Sequence, residues 1–258
     1  MYRAGLIWIT LFLVIGQVSA TDLQPGIFGQ DDRRVVEDQS GAWSAIGQVN
    51  VAGYRYAQRC TGTLVAHNLI LTAAHCIMDP WRHEPFPLHQ IHFLAGVRGS
   101  SWIAHSIAKC LQFLPDHEYV APIGRSQNVA EKSLRTDIVL IVLEDALTEI
   151  KPLKIDRTEH DDADLSFVHA SYAADRRYRL TAHFGCRLLA EQKGLWFTNC
   201  DSHRAGSGGP ILIKTEKDVT VAAIMVGIAK NAASIAVPID GLDIESARAC
   251  SSPASGQR

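Results

Sequence analysis

The sequence predicts an all-β protein, and three observations carry that reading. From Trp43 onward the chain runs as short apolar stretches broken by turn residues, the pattern of an antiparallel sandwich or barrel. These stretches fall into two comparable series, one before Lys151-Pro152 and one after it, with a single helical stretch at the end. At 258 residues the chain is long enough for two tightly packed halves, each burying a core of its own.

Taken in order, residues 1–20 carry Arg3, an apolar stretch from Leu6 to Ile15 and the small-residue ending Val18-Ser19-Ala20, the pattern of a signal peptide cut after Ala20. That apolar core is short for a bilayer, and no other segment approaches about 20 uninterrupted apolar residues. The mature chain is therefore expected to be soluble, membrane-free and exported, either secreted or periplasmic. Residues 21–41 form a polar arm with Pro25-Gly26, Gly29 and the charge cluster Asp31-Asp32-Arg33-Arg34, expected to pack on the fold. Strands are expected over 45–51, 54–60, 63–65, 69–72, 91–97, 106–114 and 138–143. Loops are expected over 78–90 and 115–133, the second carrying Tyr119, Pro122 and Gly124. After Lys151-Pro152 come six more strand candidates, 165–172, 178–189, 195–200, 210–214, 219–228 and 234–239. A terminal helix over 240–249 follows, with Asp240 as its N-cap.

Charge and cysteine content narrow the class. A formal net charge of -2 gives no electrostatic reason to expect nucleic acid or an anionic membrane as partner. Six cysteines behind an export signal argue for disulfides, although the sequence alone leaves their pairing open. His83, His89 and His92 fit no tight ligand spacing and no cysteine accompanies them, so a solvated loop is expected there and no metal.

The chemistry-bearing stretch is Arg204-Ala205-Gly206-Ser207-Gly208-Gly209-Pro210. Glycines around a serine let the backbone approach a substrate carbonyl closely, which makes Ser207 a candidate nucleophile. A serine hydroxyl needs a general base and a carboxylate to orient that base. Thr72-Ala73-Ala74-His75-Cys76 ends the apolar run 69–71, and Thr136-Asp137 opens the run 138–143. His75 and Asp137 each stand at the end of a buried strand, and the chain order is His, Asp, Ser. Through these three motifs, from about Ala42 to Cys250, the sequence resembles the chymotrypsin/trypsin-like serine proteases. The stretch Phe28-Gly29-Gln30-Asp31-Asp32-Arg33 with Ala45-Ile46-Gly47 is similar to the bacterial branch related to glutamyl endopeptidases.

The resemblance implies two six-stranded antiparallel β-barrels packed face to face, with a short C-terminal helix. A protease domain over 42–258 would then hold its first barrel at about 42–150 and its second at about 151–240, with the helix at about 240–250. It implies the disulfides Cys60–Cys76, Cys186–Cys200 and Cys110–Cys250. The oxyanion hole would be the backbone at Ala205, Gly206 and Ser207, and the specificity pocket Asp201, Ser202, Val226, Gly227 and Ile228. Relatives activated by cleavage insert a new amino terminus against an aspartate just before the serine. Arg33-Arg34 could be such a site, but Gly206 occupies that aspartate's position, which speaks against it.

The function expected is a monomeric, cofactor-free serine endopeptidase acting on protein or peptide substrates. Asp201-Ser202 points to cleavage after Arg or Lys, with glutamyl specificity as runner-up. An α/β-hydrolase is excluded by chain order, since no histidine follows Ser207. A protease-like binding module is the rival, because the family usually carries glycine where Ala205 stands and serine where Val226 stands. At position 205 the family backbone suits glycine, so Ala205 is expected either to accept a modest strain or to turn its N–H away.

Overall fold

The computed structural model describes residues 25–54, 56–118, 131–157, 165–215, 218–229, 233–247 and 250. The expected signal peptide and its cleavage point lie outside these residues, as do Tyr119, Pro122 and Gly124. Among the described residues no helix is long and apolar enough to cross a membrane.

The arm contributes β1 (Arg33–Val35). The first half then supplies β2 (Ile46–Ala52), β3 (Ala57–Ala66), β4 (Leu69–Thr72), β5 (Ile91–Ala95), β6 (Ala104–Phe113) and β7 (Val139–Leu143), preceded by the short helix α1 (Glu131–Arg135). These six strands close into a barrel in the order β2-β3-β4-β7-β6-β5. Closure follows from the apolar runs, since β4 and β7 are buried along their whole length. The expected strands at 54–60 and 63–65 are one strand, β3. It starts late because Gly53 N–H bonds to Tyr56 O at 3.0 Å in a turn. It runs through Thr61-Gly62 because Gly62 pairs with Gly47 of β2, where either Cβ would collide with its surroundings. Helix α1 stands where only loop was expected, with Leu134 packed on the core.

The second half supplies β8 (Lys154–Ile155), β9 (Ser166–Ser171), β10 (Thr181–Gln192), β11 (Leu195–Thr198), β12 (Pro210–Lys214), β13 (Val219–Ala229), β14 (Ala233–Pro238) and α2 (Ile244–Ala247). Six of these close as β9-β10-β11-β14-β13-β12, with β12 returning to β9. The β10–β11 hairpin turns on Lys193 and Gly194, both at positive φ, which matches the right-handed twist of the strands. Two short strands were not foreseen: β1 adds antiparallel to β10, and β8 adds parallel to β13. The terminal helix also begins later than expected. Asp243, not Asp240, accepts the N–H groups of Glu245 and Ser246 at its first turn, because the chain is still in a turn at Asp240 and Gly241.

One apolar cluster runs through both barrels, joining Leu64, Ile70 and Leu71 of the first to Val168, Leu212 and Val226 of the second. Disulfides link Cys60 to Cys76, Cys186 to Cys200 and Cys110 to Cys250, the last tying β6 to the end of the chain. Replacing Cys60 and Cys76 together by serine is expected to lower the unfolding free energy by about 3 kcal/mol, as read from denaturant unfolding with the other two bridges intact.

Candidate active site

His75 and Asp137 meet because β4 and β7 are antiparallel neighbours with Thr72 opposite Val139, so the chain leaves β4 beside the point where it enters β7. His75 lies in the 3-10 turn Ala74–Ile77. The buried Asp137 carboxylate accepts His75 backbone N–H at 2.7 Å on one oxygen and His75 Nδ1 at 2.6 Å on the other. An ionised carboxylate only accepts, so the proton sits on Nδ1 and the lone pair on Nε2. The imidazole is 30% exposed. Burial disfavours its charged form, but the Asp137 charge and hydrogen bond outweigh that, and the His75 pKa is raised above the ordinary 6.5. Gln58 steadies the turn from the first barrel, its Nε2 donating to His75 O at 3.0 Å.

Ser207 sits in a turn held at many points. Gly206 N–H bonds to His203 O at 2.8 Å, Gly208 N–H to Met225 O at 2.8 Å, and Thr61 N–H of β3 to Ser207 O at 2.9 Å. Gly208 takes φ 77°, and a Cβ there would run into Thr61 O and Thr72 Oγ1. Only glycine fits both the conformation and the space. The loop is thereby pressed against the segment that ends in His75. Among the described residues no hydrogen bond joins Ser207 Oγ to His75.

Ala205 adopts φ 68°, the left-handed region. The preceding carbonyl, Arg204 O, accepts Ala174 N–H at 2.7 Å. Across a trans peptide the N–H points opposite to the carbonyl, so the Ala205 N–H faces away from Ala174. Neither it nor the Ser207 N–H donates to any described residue. The Ala205 backbone thus takes the left-handed conformation expected to strain a residue with a side chain.

The pocket residues depart from expectation at Asp201. Its carboxylate was expected to face a substrate cation. Instead it is 1% exposed and accepts Phe28 N–H at 2.8 Å on one oxygen and Asp32 N–H at 2.9 Å on the other. Its own N–H bonds to His183 Nδ1 at 2.8 Å. The arm has consumed the charge that an Arg or Lys side chain would have needed. Ser202 is buried too, its N–H bonded to Gly26 O at 2.8 Å. Val226 is buried in the core, where it can offer Asp137 no hydroxyl. Gly227 and Ile228 lie half-buried on β13, and a Cβ on Gly227 would meet nothing within 4 Å.

Among the described residues two side-chain groups have metal-like spacing, and in each most of the donor atoms are already bonded. In one, Cys60 and Cys76 are already bonded to each other beside His75. In the other, Asp32, His183 and Asp201, the Asp201 oxygens and His183 Nδ1 are taken by the amides described above. His92 meets His105 at 3.0 Å, away from this site.

The sequence model of the trypsin family, described as "Trypsin", matches residues 33–164. The chain belongs to the trypsin family of serine endopeptidases. The matched stretch holds His75 and Asp137. No curated protein matches the chain. Among solved structures it is similar to a Glu endopeptidase in complex with MPD, with a TM-score of 0.69 and 15% identity over 86% of this chain and 99% of that one. At that identity the likeness is one of fold, and the shared feature is the two closed six-stranded barrels of a trypsin-like protease.

Two measurements bear on this site. A base must be neutral to accept a proton, so kcat/KM is expected to rise with pH through a midpoint above 6.5. In Asp137→Asn the raising influence is gone and burial remains, so the residual activity is expected to have its midpoint shifted down. Asp201→Asn is expected to leave the side-chain preference of cleavage unchanged in a peptide-library profile. It is also expected to destabilise the fold by about 2 kcal/mol, because one arm N–H loses its acceptor.

Proposed function

We propose that the protein is an exported endopeptidase in which His75, Asp137 and Ser207 form a catalytic triad. The observation that carries the reading is the His75 Nδ1–Asp137 Oδ2 contact of 2.6 Å, which leaves Nε2 as the unprotonated nitrogen. A base is thereby prepared at the seam where Ser207 also stands.

As Ser207 Oγ forms its bond to the carbonyl carbon, the hydroxyl proton passes to His75 Nε2. The carbonyl oxygen becomes an oxyanion, for which the free N–H groups of Ala205 and Ser207 are the donors. Collapse breaks the C–N bond, and Nε2–H gives its proton to the departing amine, leaving an acyl-enzyme on Oγ. Water then repeats the sequence, losing a proton to Nε2 and returning the serine. Asp137 stays ionised throughout, holding the tautomer and stabilising the imidazolium. Selection at the residue before the cut bond rests on fit along Gly227 and Ile228 rather than on an ion pair, since Asp201 is held by the arm. The early apolar segment 6–15 and three disulfides support an exported protein.

The rival reading, a binding module on a protease fold, draws on the missing Ser207–His75 hydrogen bond, although such contacts often tighten only when substrate binds. Labelling folded protein with a fluorophosphonate separates the two. An adduct at Ser207 is expected, together with near-complete loss of peptide hydrolysis in Ser207→Ala and His75→Ala, the double variant being little worse than either. Absence of the adduct, or substantial turnover by Ser207→Ala, would sink the triad.

A further inference from the structure

A buried cation in the arm has no part in the mechanism above. The Arg33 side chain is 1% exposed. Its Nε and Nη2 donate to the two oxygens of Asp31, both at 2.9 Å. Its Nη1 and Nη2 donate to the two oxygens of Asp175, at 3.2 Å and 2.7 Å. Arg176 closes the cluster, with one nitrogen on Asp31 at 2.7 Å and another on Arg33 O at 2.9 Å. Two cations thus meet two anions, the guanidinium held bidentately on both sides, which is the geometry arginine satisfies and lysine does not. Burial opposes the charge on Arg33 and on Asp175 alike. The bonds from Asp31 and then Asp175 outweigh it on Arg33, whose pKa is raised, and the bond from Arg33 outweighs it on Asp175, whose pKa is lowered.

Asp175 stands in the 3-10 turn Ala174–Arg176, and Ala174 N–H is the donor that holds Arg204 O. That hydrogen bond sets the 204–205 peptide plane and hence the direction of the Ala205 N–H. On the other flank of the same loop the arm grips Asp201 through the N–H groups of Phe28 and Asp32, and Gly26 O takes Ser202 N–H. The loop before Ser207 is therefore held directly by the arm at Asp201 and Ser202, and at Arg204 by a turn that Arg33 of the arm clamps through Asp175. The turn is held beyond Arg204 by Thr61, whose N–H donates to Ser207 O at 2.9 Å and whose Oγ1 donates to Ala205 O at 3.4 Å. A Cβ at Gly206 would lie 2.5 Å from Ser202 Oγ and 2.9 Å from His203 O, so the position before Ser207 has no room for a carboxylate that might anchor an amino terminus.

We propose that Arg33 is the positioning residue of the oxyanion hole, acting through Asp175, Ala174 and the Arg204 carbonyl to aim the Ala205 N–H. The arm is then a built-in part of the active enzyme rather than a segment to be removed. Cutting between Arg34 and Val35 would part Arg33 from the strand that seats it on β10 and lower activity. This inference rests on the reading of Ser207 as nucleophile and Ala205 as oxyanion donor.

The test compares wild type, Arg33→Gln and Arg34→Gln, the last changing an exposed neighbour on the same strand. Each is assayed below its melting temperature for kcat, KM and affinity for a peptide aldehyde whose hemiacetal oxygen occupies the oxyanion hole. Arg33→Gln is expected to lose roughly tenfold to a hundredfold in kcat, since removing a donor outright costs on the order of a hundredfold or more. Aldehyde affinity is expected to fall by a similar factor while KM stays within about twofold, because the lost interaction forms only in the transition state. Arg34→Gln is expected to match wild type. A lowered melting temperature with kcat and aldehyde affinity unchanged would reduce the arm to a structural strap and overturn the proposal, as would higher activity after cleavage at Arg34–Val35. Should Arg33→Gln not fold, Asp175→Asn breaks the same link from the other side, and Arg33→Lys keeps the charge without the bidentate geometry. The same kcat and aldehyde losses are expected of both. Wild type that neither hydrolyses peptides nor takes up fluorophosphonate would instead refute the underlying triad; wild type that does both, with an equally active Arg33→Gln, refutes the positioning role alone.

Discussion

The site depends on one close approach, the passage of the Ser207–Gly208 backbone beneath Thr61. Thr61 is fully buried. Its N–H holds Ser207 O, its Oγ1 accepts Tyr172 N–H at 2.9 Å, and its carbonyl accepts Thr72 Oγ1 at 2.7 Å. One residue of the first barrel thereby touches the nucleophile loop, a strand end of the second barrel and the segment leading to His75. A side chain on Gly208 would push these apart, and the seam between the barrels would open between the His75 segment and the Ser207 loop. The neighbouring Cys60–Cys76 bridge ties the same strand to the histidine turn.

Two buried carboxylates near that seam meet the same electrostatic problem with different solutions. A carboxylate removed from water is costly unless its oxygens are occupied. Asp137 is satisfied by the backbone and ring of His75, a group that can itself become positive, so the interaction would strengthen on taking up a proton. Asp201 is satisfied by fixed amides of the arm, which cannot change charge. The first arrangement suits proton transfer and the second suits structure, although both residues lie just beyond the end of a strand.

Arg33 extends the contrast to a cation. A guanidinium this deeply buried would be destabilising alone, and breaking one member of such a cluster leaves an uncompensated charge. Its partners come from its own arm and from the turn whose Ala174 N–H holds Arg204 O, so the arm and the loop before Ser207 are joined through one cluster. In a loop whose tip carries a non-glycine residue at φ 68°, an outside brace gives the strained conformation a reason to persist.

Most of the strands and the order of the site motifs could be read from sequence because they are local. Continuous β-branched and leucine runs such as 69–71 and 138–143 mark buried strands, and Lys193-Gly194 and Pro210 mark where strands turn or begin. The His75, Asp137 and Ser207 motifs are legible for the same reason, the first two being polar residues set against an apolar run and the third a serine set among glycines. What the tertiary structure alone decided involves partners far apart in the chain or without a side-chain signature. Asp201 is claimed by backbone N–H groups 173 and 169 residues away, and an amide donor looks the same in every sequence. Arg33 lies in a polar, charged stretch with no apolar pattern to mark a buried side chain, and its burial follows only when β1 joins β10 and Asp175 arrives from the turn between β9 and β10. Thr61-Gly62 looks like a break in a strand until Gly47 is found opposite, because whether a glycine turns the chain or lets two backbones close depends on its neighbour in space.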